Sequence, residues 1–203
     1  ARRGRRGSRG WSQVQDEALH RLYCYLYHTR GLGLWLVFSP GALAILGFSD
    51  ADHANDPENT GRSTSAGVLF VRSAGGHLMP IEWFSRTQTA TARSTPEAEI
   101  VSLADLVFTA GLPLQEVLFQ VTEREIPMHI GTDSQATEGI VRAGSSRRLA
   151  YLRRYQRVSI SSLRDVFTTG FNRLFGVRSS EIHADILTTV SYTHLRAHET
   201  RED

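Results

Sequence analysis

Residues 43–52 read LAILGFSDAD, an apolar run that ends in two aspartates. This composition predicts a strand from Leu43 to Ser49 that runs into Asp50-Ala51-Asp52. The polar stretch that follows, with its glycine and proline, predicts a loop. Two further strands are predicted at 66–71 and 78–84, joined by a turn at 73–76. The centre of the fold is therefore expected to be three consecutive antiparallel strands.

At residue 94 the spacing of apolar residues changes from the alternation of a strand to the period of a helix. STPE, residues 94–97, places a hydroxyl cap and a proline at a helix start. This helix is expected to reach about Thr109 and to end or kink near Gly111 and Pro113. The elements predicted beyond it are a helix at 114–121, a strand at 128–132, helices at 134–142 and 149–167, a strand at 174–177 and a helix at 180–187. Antiparallel strands followed by alternating helices and strands predict an α/β fold, with a mixed sheet covered by helices.

The residues before this core predict a helix and a hairpin. Residues 11–30 carry a helical apolar stripe, and the single cysteine, Cys24, is expected to be a core residue there. The uncharged run 31–49 is about as long as a membrane span, but Ser-Pro-Gly at 39–41 breaks it, so two strands around a turn are favoured. We therefore expect no membrane partner. One cysteine excludes an internal disulfide and favours an intracellular setting.

Charge is unevenly distributed along the chain. All 23 basic residues are arginines, and five of them lie in the first ten residues. Residues 11–203 carry 18 basic and 21 acidic groups, so the body of the chain is mildly acidic although the whole chain has a net charge of +2. Residues 1–10 are expected to be a disordered Arg/Gly-rich tail, with nonspecific nucleic-acid binding as the alternative. The hydrophobic content of 40% excludes a wholly disordered chain.

Four acidic residues lie at strand ends or on helices, each beside apolar or small residues. They are Asp50, Glu99, Asp133 and Asp185. A carboxylate at the tip of a buried strand costs desolvation energy unless a cation offsets it, and several together repel one another. Two Mg²⁺ ions roughly 4 Å apart would relieve this repulsion, activate a water and stabilise the leaving oxygen of a phosphodiester. The alternative is chance placement among 21 acidic residues.

Five blocks of sequence, in order, carry a resemblance to a known family. They are WSQVQDEALHRLYCYLYHTRGLGLWL (11–36), LGFSDADHANDPENTGRSTSAGVLF (46–70), STPEAEIVSLADL (94–106), GTDSQATEGI (131–140) and VRSSEIHADILTT (177–189). Together they span most of residues 11–190. The chain resembles the ribonuclease H region of copia-type (LTR) retrotransposon polyproteins.

The resemblance implies an RNase H-like fold, with a mixed five-stranded sheet of three antiparallel strands and then parallel strands, and helices on both faces. It also implies endonucleolytic cleavage of the RNA strand of RNA–DNA hybrids, with two Mg²⁺ ions or Mn²⁺ in their place. The family's four catalytic, metal-binding carboxylates fall on Asp50, Glu99, Asp133 and Asp185. The implied partners are the hybrid and the reverse transcriptase domain of the parent polyprotein. A catalytically inactive RNase H-like module that binds nucleic acid or has a structural role is the alternative.

Two of the four acidic positions have a competing neighbour. Asp52 lies on the Asp50 side of its strand because side chains alternate with period two, so it is the second candidate for the first ligand. Glu97 and Glu99 point to nearly opposite sides of their helix. Glu99 shares its stripe with Leu103, which turns it toward the sheet.

The chain departs from the family where substrate contacts are expected. His53 stands where the family usually has tryptophan, and Thr189 where it usually has lysine. RRLAYLRRYQRVS, residues 147–159, replaces a segment of the KHIDIRYHF kind. Its arginines are candidates for binding the phosphates or sugars of the hybrid, with a solvated helix face as the alternative. They are Arg147, Arg148, Arg153, Arg154 and Arg157.

These observations divide the chain into four parts. The tail 1–10 is followed by a helix and hairpin at 11–42, which resemble the segment that joins reverse transcriptase to RNase H. The RNase H-like domain is expected at 43–190. Residues 191–203 resemble an adapter-derived sequence and are expected to be a non-native tail. Within the domain, His183 is a candidate for moving water or product, with simple exposure as the alternative.

Overall fold

The computed structural model describes residues 12–33, 39, 41–53, 61–184 and 187. The chain divides into two units, Ala1–Leu36 and Val37–Asp203. The first contains helix α1, Gln13–Thr29, which starts with a capping box between Ser12 and Gln15. None of its residues is buried, and Cys24 is exposed. The expectation that Cys24 is a core residue is therefore wrong, because a helical apolar stripe is buried only where another surface packs on it. The strand predicted for LGLWLVF, residues 32–38, lies outside the described residues except for Leu32 and Gly33.

The second unit is built on a five-stranded sheet. Its strands are β1 (Ala44–Asp52), β2 (Thr64–Arg72), β3 (Leu78–Thr87), β4 (Met128–Thr132) and β5 (Arg173–Gly176). Their order is β3-β2-β1-β4-β5. The β1–β2 and β2–β3 pairs are antiparallel, whereas β1–β4 and β4–β5 are parallel. The mixed five-stranded sheet predicted from the sequence, with three antiparallel strands and then parallel strands, is confirmed.

The strands differ in burial according to their place in this order. β1 and β2 lie inside the sheet and are largely buried along their length, whereas β3 forms one edge and is mostly exposed. Trp83 on β3 is accordingly 60% exposed, so it is a strand-face residue and does not enter the core. Pro80 lies on this edge strand, beside the point where the register with β2 shifts between Leu69 and Phe70. Proline is tolerated there because an edge strand leaves backbone groups unpaired.

One long helix covers the centre of the sheet. It comprises α2 (Thr95–Leu106), a π-helical turn (Val107–Gly111) and α3 (Leu112–Thr122). The expected kink near Gly111 and Pro113 takes the form of this wider turn, which leads into α3 with Pro113 at its first turn. Of the described helices, this one is long and apolar enough to cross a membrane. Half of its most apolar stretch is buried inside the fold.

The remaining helices correct two sequence predictions. They are α4 (Gln135–Ala143), α5 (Leu152–Tyr155), α6 (Ile160–Thr168) and a 3₁₀ turn (Ser179–Glu181). A single helix over 149–167 is wrong: Arg157 has a φ of 59°, and Ser159 caps a new helix by accepting from the Ser162 N–H. A helix starting at Ser180 is also wrong, because Ser180 lies inside the 3₁₀ turn and Ile182 is extended.

The two faces of the sheet have separate cores. One face packs against α2, α4 and α6 through a cluster that includes Ile45, Leu69, Ile100, Leu103, Leu106, Met128, Ile130 and Leu163. The helix approaches closely because Gly67 on β2 has no side chain: a Cβ there would lie 2.8 Å from Leu106 Cδ1. The opposite face carries Phe48, Ala66 and Val68, which pack against Ile182 and Ala184 beyond the 3₁₀ turn.

Candidate metal centre

Asp50 lies near the end of β1. It is half-buried, and its backbone is in register with Ala66 on β2. The Ser102 hydroxyl on α2 lies 2.7 Å from the Asp50 carbonyl oxygen and 3.0 Å from that of Ala66, so it donates to this strand pair. Ser102 thereby ties α2 to the end of β1.

Glu99 comes from α2, one turn before Ser102. Only 4% of it is exposed. The Ala51 backbone hydrogen-bonds to its carboxylate, yet Oε2 has no hydrogen-bond partner among the described residues. An unpaired buried oxygen typically costs about 1–3 kcal/mol. This oxygen is therefore suited to a cation.

Asp133 follows directly on β4. Its Oδ2 accepts a hydrogen bond of 2.7 Å from the Ser179 hydroxyl, in the 3₁₀ turn. The preceding Thr132 is fully buried, and its carbonyl accepts the Val177 N–H at 2.9 Å. The segment after β5 thus holds the end of β4 and orients the Asp133 carboxylate.

Three of the four predicted acidic residues converge. One carboxylate oxygen from each of Asp50, Glu99 and Asp133 lies within 4.8 Å of the other two. Asp52, the competing candidate on β1, is not part of this group. Asp185 lies outside the described residues, so its place in the site stays a prediction.

The electrostatics of the group favour a bound cation. Burial, and then the negative charges of Asp50 and Asp133, raise the pKa of Glu99 to about 8 from 4.5, and the Ala51 hydrogen bond lowers it. Without a cation, Glu99 therefore keeps its proton at neutral pH. Three carboxylates are the hard oxygen donors that Mg²⁺ prefers, and a divalent ion would take the place of that proton.

The five arginines predicted to bind the hybrid are all exposed. Arg147 and Arg148 precede α5, Arg153 and Arg154 lie on it, and Arg157 follows it. None of them forms an ion pair within the described part of the chain. The arginines were expected on one long helix. That expectation is wrong, because α5 has only four residues and the rest of the segment is turn and loop.

One side of the His183 ring packs against the sheet. The centroid of the His183 ring lies 5.0 Å from that of the Phe48 ring and 5.7 Å from that of the Phe70 ring, and both contacts are edge-to-face. The residue as a whole is exposed. The contact places it on the β1–β2 face, and a role in moving water or product stays a prediction.

A buried hydrogen-bond network beside Glu99 was missed by sequence reasoning. Glu97 is fully buried. Its Oε2 accepts from the Arg93 backbone N–H at 2.8 Å and from the Tyr151 hydroxyl at 2.6 Å. The Gln156 side-chain amide lies 3.4 Å from Oε1. No local pattern marks this network, because Tyr151 and Gln156 are 54 and 59 residues away.

Comparison with known proteins finds similar structures only. No protein-family model matches the chain, and no curated protein matches it. Among solved structures, the chain is similar to RNase H1 from the halophilic archaeon Halobacterium salinarum NRC-1, with 19% identity and a TM-score of 0.49 over 71% of this chain and 93% of that one. It is similar to LC11-RNase H1, isolated from compost by a metagenomic approach, with 10% identity and a TM-score of 0.47 over 75% and 98%. It is also similar to the RNase H domain of PFV, with 12% identity and a TM-score of 0.41 over 73% and 91%.

Proposed function

We propose that this chain is a retroelement-derived ribonuclease H that cleaves the RNA strand of RNA–DNA hybrids with divalent metal. The observation that carries the proposal is the convergence of Asp50, Glu99 and Asp133. The resemblance of the five sequence blocks supports a copia-type source, with a reverse transcriptase domain in the same polyprotein and an intracellular setting.

The residues at the site fit a pair of hard divalent cations. Asp50, Glu99 and Asp133, with Asp185 as the proposed fourth ligand, would hold two Mg²⁺ ions, or Mn²⁺ in their place. When bound, these ions would activate a water for in-line attack on phosphorus and stabilise the departing 3′ oxygen. The unpaired Oε2 of Glu99 is the observation that favours metal over a purely structural cluster.

The chain itself contributes position and burial. Ser102 fixes α2 on the end of β1, so Glu99 and Asp50 keep their separation. Ser179 orients Asp133 from the other side. Glu99 is almost fully buried, so its carboxylate has little contact with water. The lower dielectric constant of these surroundings strengthens its attraction to a cation.

The exposed arginines supply the proposed contact with the hybrid. Cationic side chains without acidic partners are free to bind phosphate oxygens, and such contacts weaken as salt rises. Recognition of the RNA strand would additionally require contacts with its 2′-hydroxyl groups. Arg153 and Arg154, on the same short helix, are the first pair to test.

Cleavage of a labelled RNA–DNA hybrid tests the proposal. The wild-type chain should cut the RNA strand in Mg²⁺ and should leave duplex DNA intact. D133N and E99Q should each lower the rate by more than the roughly 10–100-fold that loss of an outer partner of a metal site typically costs. D52N is the matched control, because Asp52 lies on the same strand outside the cluster. Full activity of D133N or E99Q would refute the assignment.

The same assay separates the inactive alternative. Hybrid binding that persists in EDTA, without cleavage in Mg²⁺ or Mn²⁺, would show an RNase H-like binding module. The departure of residues 147–159 from the family segment is the observation that favours it.

A further inference from the structure

The Glu97 network consists of Arg93, Glu97, Tyr151 and Gln156. It surrounds a carboxylate with no exposed surface, two residues before Glu99. All three partners donate, and the two contacts at Oε2 are short, 2.6 and 2.8 Å. Buried carboxylates are stable in proteins when donors satisfy them in this way. The network is therefore a fixed junction in the core and not a surface contact.

The junction joins two parts of the proposed site. Glu97 belongs to α2, which carries Glu99, whereas Tyr151 and Gln156 lie at either end of α5, which carries Arg153 and Arg154. The Gln156 amide also lies 3.5 Å from the Ala90 carbonyl, in the loop before α2. Both ends of α5 are thus attached to α2 or to the residues that lead into it.

Arg93 strengthens the junction from outside. Its guanidinium carbon lies 4.9 Å from the centre of the Tyr151 ring and 6.0 Å from that of Tyr155. A cation over an aromatic face at this distance is attractive. Burial and the hydrogen bond to Glu97 raise the pKa of Tyr151, so the phenol keeps the proton that it donates.

We infer that Glu97 and Tyr151 are positioning residues, which hold the arginine-bearing segment 147–157 at a fixed place relative to the helix that carries Glu99. The inference rests on the proposed function. Glu97 is not one of the three clustered carboxylates. Its side chain bonds instead to Arg93, Tyr151 and Gln156, so the network acts through the segment proposed to bind the hybrid. Its loss should weaken hybrid binding while the chemistry at the carboxylates continues.

Tyr151→Phe tests this with little risk to folding, because it removes one hydroxyl and keeps the ring. It should raise KM for the hybrid about fivefold, as expected for one hydrogen bond of about 1 kcal/mol. The value of kcat should stay within twofold, and KM should depend less steeply on salt as arginine contacts are lost. Tyr155→Phe is the control, since the Tyr155 hydroxyl has no hydrogen-bond partner among the described residues and the side chain is 52% exposed.

Glu97 is tested by a pair of variants. Glu97→Leu leaves the Arg93 N–H and the Tyr151 hydroxyl without their acceptor, so it should raise KM more than Tyr151→Phe does. Glu97→Gln should recover most of this loss, because its amide oxygen still accepts from both donors. Melting temperatures, measured alongside, report the stability cost separately.

The outcomes separate the two proposals. Absence of cleavage by the wild-type chain would refute the proposed function. Wild-type cleavage combined with a Tyr151→Phe KM and salt dependence equal to those of Tyr155→Phe would refute the positioning role alone. A fall in melting temperature without any change in KM or its salt dependence would likewise refute it, because a purely structural network predicts that result.

Discussion

At the scale of single residues, Glu99 combines deep burial with two negative neighbours, and its pKa of about 8 is the consequence. In an unfolded chain the same group ionises near 4.5. Between these values the folded state keeps a proton that the unfolded state has lost. The stability contributed by protonated Glu99 is therefore complete below about pH 4.5 and disappears as the pH rises through about 8.

The metal-free protein should accordingly lose stability as the pH rises from about 5 to 8, by up to about 1.4 kcal/mol per pH unit. E99Q cannot ionise, so its free energy of unfolding should vary less over this range. Urea unfolding in EDTA at several pH values measures both profiles. Parallel profiles for the two proteins would contradict the assigned pKa.

Divalent metal should reverse this loss. At pH 8, added Mg²⁺ should raise the melting temperature, because an ion bound only by the folded state stabilises it by mass action. The rise should be smaller at pH 5.5, where protons compete for Glu99, and smaller in D133N at either pH. NaCl at equal ionic strength is the control. An equal rise in wild type and D133N would place the ion elsewhere.

At the scale of elements, the close packing of neighbouring strands' side chains on the helix-covered face of the sheet depends on Gly47. An alanine there would place its methyl carbon 2.6 Å from Ile130 Cδ1 and 2.7 Å from Leu69 Cδ2. Both neighbours are fully buried, so they have little room to move. We expect Gly47→Ala to lower the free energy of unfolding by about 1–3 kcal/mol, the usual cost of overpacking.

Gly139→Ala is the matched control for this substitution. Gly139 lies within α4, and nothing lies within 4 Å of the place where its Cβ would be. The same chemical change should therefore stabilise the protein, by about 0.5–1 kcal/mol, through helix propensity. Chemical denaturation of both variants gives the comparison. Stabilisation by both would show that the side chains of Ile130 and Leu69 can move enough to accept a methyl group at position 47.

The elements that local pattern determines are the ones that the sequence predicted well. β4 was predicted with its observed bounds, β2 to within two residues and β1 to within three, because apolar runs bounded by turn residues mark them. The segment 149–167 was predicted as one helix and is two. Its break depends on Gln156, which bonds to Glu97 and Ala90 far along the chain, and such tertiary contacts override helical propensity.

At the scale of the whole molecule, strand order explains why distant acids meet. β1 and β4 are parallel neighbours, so the aspartates at their carboxyl ends lie at one edge of the sheet. α2 crosses the same sheet and adds Glu99. Acids at element ends only suggested the convergence of Asp50, Glu99 and Asp133, and the resemblance of the five sequence blocks selected these three residues. The burial of Glu97 was not, because the helical period alone does not distinguish a carboxylate satisfied by remote donors from a solvated one.

The pairing of β4 with β1 also determines when the free edge of β1 is covered during synthesis. The β1–β2–β3 meander ends at Thr87, whereas β4 begins at Met128. On a ribosome that adds roughly 5–20 residues per second, the meander emerges several seconds before β4. During that interval β1, the future centre of the sheet, is an open apolar edge able to pair with another chain. The nascent protein is therefore most prone to aggregation before β4, the strand that leads to Asp133, has been made.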